Sequence, residues 1–418
     1  MQQVYSHAAL NIAATAAHDN SFGLYCDRDP ILLAPFKLDL AWSHDEESRG
    51  EGPISLQSYI CHRHFSTSDT IDQAPLNCRA WVMQERQLSR CIAHFTREML
   101  YWECHEVFAN EIHPQSLPSK EIEVEKRDTR ALKRLLDSPH GTDGRNEQHE
   151  ALHKAWDSFL SVYTRCRLTY AQDKLVALGG IVQQLSEALQ DKLVAGLWRS
   201  RFIQQLCWYT SEFSDSGHSR AESKPWIAPS WSWASCDYAT HRGGTRDLGQ
   251  HRELVKLVEL DVPTKPSGAL ISGYIKLRCR LVPALLRFEQ CNGWRNNWMV
   301  FSDRDTTFNS KLQLWLDGPC FVDGTDNLNQ IHLLMIQEGI DPIFTNDNKV
   351  VGIAVIPSID QENTFVRIGC FFGKSTYNKS TTTQADKLQK KFRQKELDFY
   401  SELVERHKRS VDQIIKII

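Results

Sequence analysis

The sequence predicts an α+β chain, in which an α/β segment is followed by a helical region and then a β-rich region. Three observations carry that reading. Residues 75–89, "PLNCRAWVMQERQLS", run without internal Gly or Pro after Pro75, as a helix does, and two alternating stretches follow. Residues 151–210 repeat apolar positions at helical spacing. From residue 251 the chain breaks into short β-branched runs divided by turn residues.

With 418 residues, 41% hydrophobic and 24% charged, the chain has room for two or three domains and a full core. A net charge of -3 leaves no basic surplus, so nothing points to nucleic acid or an anionic membrane surface. No charged-then-apolar leader is evident, and no apolar run approaches the ~18 residues of a membrane span. The cysteines are never closer than 12 residues, so no C-x-x-C pair suggests zinc. Reduced, mostly buried thiols in a cytoplasmic protein are the expectation.

The elements follow in order. Residues 1–110 open on "MQQVYSHAALNIAATAAHDN", which reads as a domain already under way. Val4, Tyr5, Ala8 and Ala9 give a helical stripe, and "LNIAATAA" reads as a buried strand or a continuing helix. In the 75–89 helix, Trp81, Glu85 and Leu88 share one face, Val82 widens it, and Arg86 and Gln87 point away. Glu85 is then a carboxylate on an apolar stripe, either a structural pin or a working acid. "RCIAHFT" and "LYWECHE" alternate like the strands of a hairpin.

Residues 111–150 are a polar insertion or linker, with one short helix at "TRALKRLLD". Residues 151–240 form a helical, Trp-rich region. Leu152, Trp156, Phe159, Leu160 and Tyr163 keep helical spacing, Thr169 and Gln172 have the spacing of a capping box, and "PWIAPSWSWASCD" is irregular. Residues 251–375 supply at least six strands, expected as an antiparallel sheet or sandwich. Residues 384–418 give an amphipathic helix, with Leu388, Phe392, Phe399 and Leu403 on one stripe, and "DQIIKII" as a last strand.

The sharpest chemical string is "HEALH", His149–His153, which fits H-E-x-x-H. Its polar lead-in and its lack of a further ligand favour an exposed helix start, so no metal is expected there. Cys91 with His94, Cys104 with His105, and Cys61 with His62 and His64 lack paired ligand spacing. Strand alternation also puts Cys91 and His94 on opposite faces. Motifs for a nucleophile elbow, a P-loop and a dinucleotide fold are absent, and no cofactor is expected.

Taken in order, "QQVYSHAALNIAATAAHDNSFGLYCDR", "PLNCRAWVMQERQLSRCIAHFTREMLYWEC", "YTRCRLTYAQDKLVALGGIV", "LVAGLWRS" and "APSWSWAS" resemble the heterokaryon incompatibility (HET) domain proteins of filamentous fungi. The resemblance implies a TIR-like α/β sheet with flanking helices. Segments of the type "Y-x-W-G" and "L-W-I-D-x-x-C", which normally open the domain, are not found, so the expected domain is partial and truncated at its N-terminus. Arg79, Trp81, Gln84 and Glu85 match the signature positions. By that resemblance Glu85, oriented by Arg79, is the candidate catalytic carboxylate of a nucleotide-cleaving site; the structural reading makes it a pin bonded to Arg79, Arg97 or backbone donors. The implied function is fungal non-self recognition and programmed cell death through protein contacts, with other HET proteins or with itself. The alternatives are a TIR-like NAD(P)-cleaving enzyme, or an inactive remnant or decoy.

Overall fold

The computed structural model describes residues 2–41, 56–63, 65–117, 130–137, 145–210, 226–237, 240–241, 251–289, 297–301, 313–317, 329–340, 348–359, 361–374 and 401–418. The chain divides into two compact units, Met1–Ala151 and Leu152–Ile418. Helices and strands are mixed throughout, so the α+β expectation holds.

In the first unit, helix α1 (Gln2–His7) leads into strand β1 (Asn11–Ala13). Among the described residues, strands β2 (Phe36–Ala41) and β3 (Leu56–Cys61) pair only with each other. Helix α2 (Ala80–Leu88) precedes β4 (Cys91–Phe95), β5 (Leu100–Cys104) and β6 (Phe108–Asn110). The hairpin expected at 90–106 is β4 and β5, and the sheet order is β1-β4-β5-β6 with β1 parallel to β4. The sequence allows "LNIAATAA" to be a buried strand. Only three of its residues pair, at the sheet edge, and Ile12 stands 57% exposed.

The orientation of α2 is a correction. Arg86 and Gln87, read as pointing away, are buried together with Met83 and Gln84, while Trp81 and Glu85 are half-buried. Val82 and Leu88 of the expected stripe stay buried, and the buried face is wider than expected because Arg86 finds carboxylates inside and takes a core position. The helix expected in the polar linker is α3 (Arg130–Asp137).

Helix α4 (Arg145–Tyr163) runs past residue 151, where the units divide; within the second unit it stacks Trp156 on Phe159 and Phe159 on Tyr163, with ring centroids 5.7 and 6.1 Å apart. The capping box at Thr169 does not form. Tyr170 caps a 3-10 turn without a side-chain bond, and α5 (Gly179–Leu189) begins ten residues after Thr169. The Tyr163 hydroxyl donates to the Lys174 carbonyl at 2.6 Å, tying that carbonyl to α4. A tight hairpin joins β7 (Leu193–Val194) to β8 (Leu197–Trp198). Its turn holds Ala195 and Gly196 at φ of 48° and 90°, the mirror-image turn that favours glycine. A Cβ on Gly196 would lie 2.5 Å from the Trp233 indole nitrogen, which donates to the Gly196 carbonyl at 2.8 Å. β9 (Tyr209–Thr210) pairs with β10 (Thr240–His241).

The expected β region is one nine-stranded sheet. Its strands are β11 (His251–Glu253), β12 (Lys256–Asp261), β13 (Tyr274–Glu289), β14 (Asn297–Phe301), β15 (Gln313–Leu316), β16 (Asn329–Ile340), β17 (Asn348–Pro357), β18 (Thr364–Lys374) and β19 (Asp412–Ile417). The last of these is the strand expected at "DQIIKII". Neither a purely antiparallel sheet nor a two-layer sandwich describes the pairing. β16, β17, β18, β19 and β13 pair in a closed circuit, and β18 runs parallel to β19. Closing the circuit gives each of these five strands two partners, while β11, β12, β14 and β15 each pair with one strand of it. Val282, Leu333, Met335, Ala354 and Phe371 fill its core together with Leu403, which lies on the 401–409 helix. Leu388, Phe392 and Phe399 fall outside the described residues.

Candidate functional site

Glu85 sits half-buried on α2, where the phenol of Tyr5 from α1 donates to its carboxylate. Burial, then this hydrogen bond and the negative charge, push the Tyr5 phenol up to about 12, so it remains a donor at neutral pH. Arg79 is exposed at the N-cap of α2, and among the described residues no ion pair joins it to Glu85. The two therefore do not form the oriented pair that the resemblance implies. Tyr5 was legible only as one member of the opening helical stripe.

The densest polar chemistry lies one residue further along. Glu103 on β5 is 2% exposed and gathers three basic side chains. Arg86 Nε donates to its Oε2 at 2.8 Å, His94 Nε2 lies 3.2 Å from the same oxygen, and Lys133 Nζ is 4.0 Å from Oε1. Arg86 also donates to Asp72 Oδ1 at 2.6 Å, from the π-helical turn Ser68–Asp72. An ionised carboxylate only accepts, so the network assigns the ring proton of His94 to Nε2. Nδ1 then accepts from the Thr15 hydroxyl at 3.0 Å.

Burial opposes the charge on Glu103, but Arg86, then His94 and Lys133, hold its carboxyl well below the usual range. Burial also opposes the Arg86 charge, and Glu103 and Asp72 more than restore it. Burial keeps His94 below its ordinary value and therefore neutral near pH 7. A carboxylate held this firmly ionised is a poor proton acceptor at neutral pH. The arrangement instead ties α2, α3 and β4 to the Glu103 carboxylate on β5, and ties the 68–72 turn to Arg86. Sequence reasoning passed over Glu103, yet it shares strand parity with Tyr101 and faces His94's side of the hairpin.

The other predicted groupings are dispersed. His153 of "HEALH" is 3% exposed with its ring against Trp198, while His149 is half-buried and Glu150 exposed. The string is thus exposed at its start and buried at its end. Among the described residues no three His, Cys, Asp or Glu side chains gather as a metal site. His64 lies outside those residues, and Cys61, Cys91 and Cys104 are free thiols. In the second unit an open pocket of about 380 Å³, mouth included, is lined by Trp156, Leu160, Trp208 and Trp233.

Comparison with known families adds one finding. Residues 1–85 match the family model of heterokaryon incompatibility protein (HET). This HET segment takes in α1, β1, the β2–β3 hairpin and the start of α2, and it ends at Glu85. The network around Glu103 draws Thr15 and Asp72 from the HET segment, and its remaining members lie beyond it. No curated protein and no solved structure matches the chain. Among the described residues no helix is long and apolar enough to cross a membrane.

Proposed function

We propose that the chain acts through protein–protein contact, as a heterokaryon-incompatibility-type protein of fungal non-self recognition and programmed cell death in the cytoplasm. The observation that carries this reading is where its exposed apolar surface lies. Among the described residues, most of the large apolar side chains that stand open are in the segment matched by the HET model, including Val4, Leu10 and Ile12 around β1. Phe36, Leu38 and Leu40 line one face of the β2–β3 hairpin, opposite Tyr59 in register. A two-stranded ribbon with an open apolar face is marginal alone and gains from a partner. The partner proposed is a second HET-type chain, with self-association its simplest form.

Sedimentation of the full chain over a wide concentration range tests this. Self-association is expected, and Leu38→Lys with Leu40→Lys should weaken it at least tenfold while leaving the melting temperature of the dilute monomer unchanged. A monomer at every concentration that also binds no other HET-type chain would sink the reading.

Within that reading Glu85 serves as a pin between α1 and α2. Glu85→Gln keeps an acceptor for Tyr5 and should melt like wild type. Glu85→Leu should cost on the order of 0.5–1.5 kcal/mol, and Tyr5→Phe a similar amount. Loss of an NAD-cleaving activity in Glu85→Gln, with melting intact, would make Glu85 catalytic instead.

A further inference from the structure

Cys91 and Cys104 face each other across the β4–β5 hairpin, in direct register. Antiparallel partners alternate between hydrogen-bonded pairs and closer, non-hydrogen-bonded pairs, and two bonds settle which kind this is. The Cys104 N–H donates to the Val107 carbonyl at 2.9 Å, so it points away from β4. At the other end of the hairpin the Thr96 N–H donates to the Met99 carbonyl at 3.3 Å. Alternating from that pair, 91 and 104 come out non-hydrogen-bonded as well. In such a pair the Cα atoms sit about 4.5 Å apart, at the short end of what a disulfide bridges. Both residues are free thiols and half-exposed, so a small oxidant reaches them.

We propose that Cys91 and Cys104 form a reversible cross-strand disulfide, a modification site whose co-reactant is a low-molecular-weight disulfide. One thiolate attacks a sulfur of the small disulfide, forming a mixed disulfide and releasing one thiolate. The second cysteine, as its thiolate, then attacks the Sγ of the first, breaking that Sγ's bond to the small molecule's sulfur, closing the protein bond and releasing the second small thiolate. Two cysteines are oxidised and one small disulfide is reduced to two thiols, with protons passing to solvent. A half-exposed disulfide is open to attack by small thiols, which makes the site reversible. It would fasten together the two strands that carry His94 and Glu103.

The chain holds an internal control. Cys207 and Cys370 also lie side by side, with the Cys370 thiol donating to the Cys207 carbonyl at 3.4 Å, but both are fully buried. Burial pushes the Cys370 thiol well up, so it offers little thiolate.

The full-length protein is equilibrated in oxidised and reduced glutathione at a series of ratios, alkylated and cut with trypsin. The expected result is a linked pair, 91–97 with 98–120, lighter by about 2 Da than the two reduced peptides together. It should vanish on reduction, while Cys207 and Cys370 become alkylated only after unfolding. Cys104→Ser should carry glutathione on Cys91 under the same conditions. If the linked pair never forms in wild type while Cys26, Cys61 or Cys78 takes up glutathione, the proposal is wrong. That outcome leaves the association reading untouched, because sedimentation under reducing conditions tests it separately.

Discussion

Glu103→Leu should cost the first unit about 3–5 kcal/mol, because it strands Arg86 and Lys133 in the interior without their shared counter-charge. Glu103→Gln should cost nearly as much, since the amide keeps the size but removes the charge. Denaturant unfolding followed by hydrogen exchange in β4 and β5 measures the loss. A Glu103→Gln protein within about 1 kcal/mol of wild type would show that packing, not charge, holds the network.

The pH dependence has a definite sign. The Glu103 carboxyl is depressed in the folded protein, so its contribution is complete above the ordinary carboxylate value of ~4.3. It is lost as pH falls through the folded value. His94 is also depressed, and its neutral form favours folding above its ordinary value of ~6.5. Acid therefore loosens the first unit on both counts.

Arg367→Met should have a comparable effect in the second unit, and its cost too should grow with pH. Arg367 is 1% exposed, pairs with Asp317, donates to the Trp208 carbonyl and lies 3.6 Å from the centroid of the Trp208 ring. Burial pushes the Asp317 carboxyl up to about 6, against the pull of Arg367. A raised carboxyl favours folding fully below its unfolded value of ~3.9, and that advantage disappears as pH rises through about 6. Without Arg367 the carboxyl should rise further. The cost of Arg367→Met should then be small near pH 4 and reach about 3–5 kcal/mol near neutrality. Adding Asp317→Asn should recover part of it, since the unpaired charge is gone. A cost that is the same at both pH values, with no recovery in the double variant, would mean that Arg367 acts only by packing.

The sequence made some of this legible and hid the rest for a physical reason. Alternation placed β4 and β5, and β-branched runs placed β12 to β13 and β15 to β18, because each pattern is local. On α2 the burial of Val82 and Leu88 was readable, and that of Arg86 was not. The latter depends on Glu103, which lies 17 residues from Arg86 on another element, and on Asp72 from a turn. β14 was missed within a polar stretch, and it pairs only as an extension of β13. Of the candidate site, Glu85 was expected to draw a donor from Arg79, Arg97 or the backbone. The donor is Tyr5, in α1, and no helical spacing links the two.

The closed circuit of the second unit also fixes an order of events during synthesis. β13 meets β19 along Ile275 to Arg280, with Ile275 opposite Ile417, and Ser230 donates to the Ile418 carbonyl. A nascent chain that has already made β13 to β18 must wait for residues 412–417 to leave the ribosome before the ring can close. Until then β13 and β18 present unpaired backbone, the kind of surface that chaperones hold and that aggregates when left alone. The first unit needs nothing from beyond residue 151 for its own sheet, so it should be folded while the second is still open.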